Sequence, residues 1–182
     1  MNEVKKRILL ITTGGTIASV HTKDGLAPAG SEVLQNEIGH LRAYYDIEVC
    51  DLMRLDSSNI QPEEWVRIAR CVFEHRGGAD GIVITHGTDT MAYTSSILSF
   101  MLRNIDIPVV LTGAQLPMQN PISDAFDNLR TAFLMAASGR AGVFVAFDRH
   151  VMLGCRAVKV RAESFDAFES VNRRYAARVT TG

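Results

Sequence analysis

Five short β-rich runs set the frame for this chain: residues 7–13 (RILLITT), 47–53, 81–85 (GIVIT), 108–112 (PVVLT) and 142–147 (GVFVAF). A strand with one wet face alternates apolar and polar residues, whereas a strand covered on both faces reads as a continuous apolar run. The continuous kind dominates here, and helical patterns fall between the runs. The expected architecture is α/β: a doubly wound, mostly parallel sheet with helices on both faces, in three layers.

The helices carry their own punctuation. Pro62 suits a first helical position, where it has no N–H to lose, and Trp65, Ala69, Val72 and Phe73 follow as the expected buried stripe. Asp89 is placed to cap a second helix bearing Met91, Ile97, Leu98, Met101 and Leu102. Ser123 is the expected cap of a third, with Asp124 and Asp127 complementing its dipole. Phe126, Leu129, Phe133 and Ala137 face the core there, and Gly139 ends it.

A length of 182 residues suffices for one substantial core. A net charge of -1 provides no basic excess for a phosphate backbone, so nucleic acid is an unexpected partner. No stretch reaches the ~18 apolar residues of a membrane span, and the apolar run after the N-terminal lysines is too short for a signal peptide. Cys50, Cys71 and Cys155 form neither a CxxC nor an even disulfide framework, which points to the cytoplasm. His21, His40, His75, His86 and His150 have no metal-ligand spacing; neither a metal nor a cofactor is expected. Two stretches are irregular. Residues 19–30 read as a mobile active-site loop, and residues 173–182 as the start of a linker or tail after a domain spanning 1–172.

Ligands of a doubly wound sheet sit beyond the carboxyl ends of its strands. The polar clusters of this chain fall there: Gly14-Gly15-Thr16 after the first run, Asp56-Ser57-Ser58-Asn59 after the second, His86-Gly87-Thr88-Asp89 after the third and Gly113-Ala114-Gln115 after the fourth. Each has a plain reading beside a chemical one. Two glycines after a strand serve a sharp turn, or let backbone approach a substrate and present the Thr16 hydroxyl. Asp89 is a helix cap or a carboxylate beside a reacting group. His86 orders a loop by hydrogen bonding or works as a base. Lys159, in a mostly apolar β-like stretch, is a solvated strand residue, or a base if hydroxyls replace water around it while Asp89 works against that change. A hydroxyl nucleophile needs a proton acceptor and an oxyanion donor, and only the combination of these clusters supplies both.

Four of these segments together resemble the bacterial-type asparaginase/glutaminase family: TTGGTIA at 12–18, DSSNIQPEEW at 56–65, THGTDTM at 85–91 and LTGAQLP at 111–117. The similarity runs from the first strand to about residue 172. It implies the N-terminal catalytic domain of an amidohydrolase that converts L-asparagine, with L-glutamine as a possible second substrate, through Thr16 as nucleophile and a β-aspartyl ester. On the same comparison Thr88, Asp89 and Lys159 handle protons. Ser58 holds the substrate α-carboxylate with Asn59 beside it, Asp89 receives the α-ammonium, the Gly15 and Gly87 segments line the pocket, the Thr88 N–H serves the oxyanion, and the Ala114 carbonyl receives the amide nitrogen.

Two departures accompany the resemblance. The family tyrosine of the loop after the first threonine motif is absent, and Leu26 or a neighbour takes its approximate place. Family members also form homo-oligomers in which a second, smaller domain lends residues to a neighbouring site, and this sequence stops where the linker to that domain would begin. A catalytically silent amino-acid-binding or assembly domain is the alternative reading, and the amidase component of a tRNA-dependent amidotransferase a lesser one.

Overall fold

The computed structural model describes residues 4–23, 25–28 and 30–181. Its centre is a seven-stranded sheet. Strand β1 (Lys6–Gly14) leads to a small hairpin of β2 (Ser19–Thr22) and β3 (Gly25–Pro28), then α1 (Gln35–Leu41), β4 (Tyr45–Leu55) and α2 (Pro62–His75). The chain continues through β5 (Gly81–Thr85), α3 (Met91–Met101), β6 (Pro108–Thr112), α4 (Ala125–Ala136), β7 (Gly142–Phe147) and β8 (His150–Leu153). Three short strands follow: β9 (Ala157–Lys159), β10 (Phe168–Ser170) and β11 (Ala177–Arg178).

The sheet order is β11-β8-β7-β6-β5-β1-β4. From β4 to β7 the pairing is parallel, while β8 and β11 add an antiparallel edge. Every residue of β5 and β6 is buried, as continuous apolar strands covered on both faces must be. Alternate side chains go to opposite faces. Ile8, Leu10, Val83, Val110 and Phe144 pack under α1 and α4, with Phe133 among them, and Leu9, Ile11, Ile82, Ile84, Leu111 and Val145 pack under α2 and α3. This is a doubly wound α/β fold in three layers. Among the described residues no helix is long and apolar enough to cross a membrane.

Several local expectations need correction. Helix α2 does begin at Pro62, and the Glu64 carboxylate accepts from the Gln61 N–H at 2.8 Å. Its buried stripe, however, centres on Ile68 and Val72, which puts Phe73 roughly 120° round the helix. Phe73 is accordingly 57% exposed and carries the Arg76 guanidinium 3.7 Å above its ring. Asp89 does not cap α3; the cap position is Thr90, and the carboxylate is engaged elsewhere. Met101 is exposed. Ser123 is not the cap of α4: the cap position is Asp124, whose carboxylate turns to the backbone N–H groups of Gln115 and Leu116, and the Ser123 hydroxyl only accepts from the Ala125 N–H at 3.1 Å. Residues 19–30 are not wholly irregular, since β2 and β3 pair in antiparallel register. Within residues 173–182, Ala177 and Arg178 close the sheet edge against β8.

Candidate active site

In an open sheet the connections on either side of a switch point leave in opposite directions and open a crevice beyond the strand ends. Here β1 is flanked by β4 and β5, so the switch lies at β1/β5. A cavity of about 170 Å³ occupies that place, lined by Gly15, Thr16, Ser19, Asp56, Ser57, Gly87, Thr88 and Asp89. A larger hollow of about 600 Å³ sits at the opposite end of β1 and β4, between Arg7, Asp46 and His75. Size does not decide between them, because only the smaller one gathers hydroxyls, a carboxylate and a nearby lysine.

The backbone explains how three loops meet so closely. Gly15 has φ +79, and a Cβ there would lie 2.4 Å from the Gly87 nitrogen; a Cβ on Gly87 would lie 2.4 Å from the Ser57 Oγ. Both glycines are therefore needed for the approach of the loops after β1, β4 and β5. The Gly15 N–H donates to the Leu55 carbonyl at 3.2 Å, and the Thr90 hydroxyl donates to the Ser57 carbonyl at 2.8 Å. Thr16 is half-buried and opens a 3-10 turn, Thr16–Ala18, whose Ile17 and Ala18 are fully buried. Below it, Asp51 accepts from the Thr12 hydroxyl at 2.5 Å and from the Ser31 N–H at 2.9 Å, which fastens the far end of the β2–β3 segment to β4. Burial pushes the Asp51 carboxyl up, but bonds from Thr12 and Ser31 and the Arg54 charge outweigh it and hold the group below its ordinary value.

Lys159 meets two of the lining residues from outside these loops. It ends β9 opposite Phe168 of β10, and Phe168 stacks on Phe147 with ring centroids 4.9 Å apart. The short ladder is thus anchored in the core and aims the lysine. Lys159 Nζ donates to Thr88 Oγ1 at 2.9 Å and to Asp89 Oδ1 at 2.7 Å. Its side chain is only 15% exposed, against 69% for Asp89. Thr88 Oγ1 in turn donates to Gln115 Oε1 at 3.1 Å.

Of the residues expected at the site, Gly15, Thr16, Gly87, Thr88 and Asp89 line the cavity and Lys159 bonds two of them. Ser58 and Asn59 are exposed and outside the lining; the Ser58 hydroxyl and N–H both donate to Asp56 Oδ1, at 2.8 and 2.9 Å. Ala114 is buried and outside the lining as well. The Leu26 side chain lies outside the described residues. His86 is fully buried, its Nδ1–H donating to the Gly87 carbonyl at 2.7 Å. Burial pushes its pKa down to about 4 against the opposing pull of that bond, so the ring is neutral and serves the loop. Ser19, Asp56, Ser57 and Gln115 carried no expected role from the sequence. For Asp56 a signal existed, since Asp-Ser-Ser-Asn after a strand is a capping pattern.

The arrangement defines a class: a doubly wound α/β domain whose switch-point crevice is lined by two threonines, one of them bonded to a lysine that also pairs with a carboxylate. The chain belongs to the asparaginase family, whose N-terminal domain model ("Asparaginase, N-terminal") matches residues 7–182. It is 52% identical over 168 residues to the L-asparaginase of Thermococcus kodakarensis, covering 91% of this chain and 51% of that protein. The solved structure of the T. kodakarensis enzyme superposes with a TM-score of 0.86 at 49% identity, over 96% of this chain and 54% of that one. L-asparaginase 1 of Escherichia coli K12 is 39% identical over 175 residues (92% and 52%). A glutamyl-tRNA(Gln) amidotransferase component from Thermoplasma acidophilum is 36% identical over 175 residues (91% and 43%). The chain thus spans about half the length of the curated relatives it matches.

Proposed function

We propose that this chain carries the nucleophile and proton-handling residues of an L-asparaginase acting in the cytoplasm, with L-asparagine as substrate and L-glutamine as a second candidate. The observation that carries the reading is that Thr88 and Asp89, on the wall of the cavity that Thr16 also lines, are both bonded by Lys159, at 2.9 and 2.7 Å.

In this reading the Thr16 hydroxyl oxygen attacks the side-chain amide carbon. A proton passes from that hydroxyl to the cluster and on to the leaving nitrogen, ammonia departs, and a β-aspartyl ester remains on Thr16. Water, giving up a proton to the same cluster, then cleaves the ester and releases aspartate with the Thr16 hydroxyl restored. Asp89, exposed at the mouth, receives the α-ammonium. Ser58, next in the chain to the lining Ser57, receives the α-carboxylate with Asn59 beside it. The Thr88 N–H supports the oxyanion, and the Ala114 carbonyl takes the amide N–H. A homo-oligomer is the expected state of the working protein.

The test is ammonia release from L-asparagine by the purified protein and by T16A. Turnover that survives in T16A would remove Thr16 from its role, and an absence of turnover in the wild type would remove the enzyme reading. A second reading has one observation in its favour, the similarity to components of glutamyl-tRNA(Gln) amidotransferases. The higher identity to L-asparaginases supports the first. Ammonia release without any added partner protein separates the two.

A further inference from the structure

The side-chain amide of Gln115 has one orientation open to it. Its Nε2 donates to the carbonyl oxygens of Ala162 at 2.8 Å and Ser164 at 3.0 Å. Carbonyl oxygens only accept, so the nitrogen must face them and Oε1 must face away. The backbone end is equally held: the Gln115 N–H meets both carboxylate oxygens of Asp124 at 3.0 Å, and Asp124 takes a further bond from Asn128 at 2.9 Å. Oε1 is thereby fixed 3.1 Å from Thr88 Oγ1.

The consequence falls on Thr88. A hydroxyl has one proton and two lone pairs. Oε1 cannot donate, so the Thr88 proton is committed to Gln115. Lys159 Nζ, 2.9 Å away, donates to one lone pair. What Thr88 has left for the cavity it lines is its other lone pair and no proton.

We propose that Gln115 is a positioning residue that holds Thr88 as a hydrogen-bond acceptor toward the cavity, ready for the proton of a hydroxyl or water donor there. The kinetic side of this rests on the amide-hydrolysis reading above; the geometric side does not. Without the Gln115 oxygen, the Thr88 hydroxyl turns its proton into the cavity and competes as a donor. The same amide also ties Thr88 to the connection between β9 and β10, so that Thr88 and Lys159 are held together from both sides.

Two variants and one direct observation test the inference. Q115M keeps the length of the side chain and removes its oxygen. It is expected to lower kcat on L-asparagine about 10–100-fold with KM within about threefold, the scale on which small displacements at a reacting group act. In Q115E a protonated carboxyl reproduces the amide, its C=O accepting from Thr88 and its O–H donating to Ala162 or Ser164, whereas the ionised form sets a negative oxygen against two carbonyls. The kcat ratio of Q115E to wild type should therefore rise as pH falls from 8 to 5, while the Q115M ratio stays level. Wild-type kcat in Q115M, or a pH-independent Q115E ratio, overturns the kinetic role. Neutron diffraction from the deuterated full chain decides the geometry whether or not the protein turns over. A Thr88 deuteron aimed at Gln115 Oε1 is expected, and one aimed into the cavity or at Lys159 overturns it. If the wild type releases no ammonia while the deuteron points to Gln115, the asparaginase reading fails and the positioning of Thr88 stands.

Discussion

Lys159 Nζ sits 2.9 Å from Thr88 Oγ1 and 2.7 Å from Asp89 Oδ1, bridging two consecutive residues that lie 71 and 70 positions away in the chain. Arginine and methionine separate the parts this lysine can play. K159R keeps a cation and donors for both partners but cannot give up its proton at working pH, and K159M keeps only the stem. If proton exchange with Thr88 is the function, both variants should lose about 10²–10⁴-fold in kcat. K159R alone should keep wild-type affinity for L-aspartate, measured by calorimetry. Near-normal kcat in K159R would leave the lysine only an electrostatic part.

Gly15 and Gly139 offer a matched pair of backbone tests. Both have positive φ, +79 and +71, but a Cβ at Gly15 meets the Gly87 nitrogen at 2.4 Å while one at Gly139 meets nothing within 4 Å. G139A should cost only the dihedral strain, about 1–3 kcal/mol, and leave turnover alone. G15A adds a backbone collision between the loops that carry Thr16 and Thr88, and should lower turnover by about 100-fold as well. Chemical denaturation and ammonia release, measured on both, check the contrast; equal activity in the two would mean that the loops can separate without consequence.

Glu37 of α1 is 1% exposed at its side chain and takes two bonds from Arg130 of α4, at 2.6 and 3.0 Å. The partner is half exposed, at 51%, so the pair is worth less than a fully buried one. R130M leaves the acid without its main partner, His40 at 3.5 Å being a weak substitute. A loss of roughly 2–3 kcal/mol in urea unfolding at pH 7 is expected, at or below the ~3–5 kcal/mol of a fully buried pair because Arg130 is half exposed. R130M/E37L should recover most of it, since the double variant buries no unpaired charge. Failure to recover would mean that the guanidinium packing, including its place 6.0 Å from the centre of the Phe126 ring, matters more than the pairing.

How much of this was legible in the sequence depends on where the controlling contacts lie. The bounds of β5, β6 and β7 follow from continuous apolar runs, and the start of α2 from Pro62, because those signals are local; α4 is capped at Asp124, one residue past the expected Ser123. Helix α1 has no such signal: it has seven residues, and Glu37, which Arg130 reaches from 93 positions away, interrupts any apolar stripe. Phe73 falls off the buried face because a shift of one residue in the centre of a stripe turns a side chain by about 100°. Asp89 looks like a cap in the linear sequence, and it is Lys159 that turns the carboxylate to another partner. The crevice itself could be anticipated, since its loops follow strand ends. Gln115 had no signal of its own, because its orientation is set by the backbone carbonyls of Ala162 and Ser164, which no residue type announces.

His86 gives the fold a pH dependence whose sign is fixed by burial. In the folded chain its pKa is pushed down to about 4, from an ordinary value of 6.5. Above pH 6.5 neither folded nor unfolded chain holds the proton, and the full stability is present. As pH falls from 6.5 to 4 the unfolded chain takes up a proton that the folded chain refuses. Stability is lost across that window, by about 2 kcal/mol at pH 5 and about 3 kcal/mol near pH 4. H86N tests this on its own, because an asparagine amide nitrogen can take over the Nδ1–H bond to the Gly87 carbonyl without titrating. Urea unfolding at pH 7 and pH 5 should show the wild type losing about 2 kcal/mol more than H86N between the two conditions. The carboxylates that also respond to acid, Asp51 and Asp80 among them, are common to both proteins and cancel in the difference. An equal loss in both would mean that the folded chain admits the proton at His86 near its ordinary pKa, which requires water to reach the ring behind Gly87.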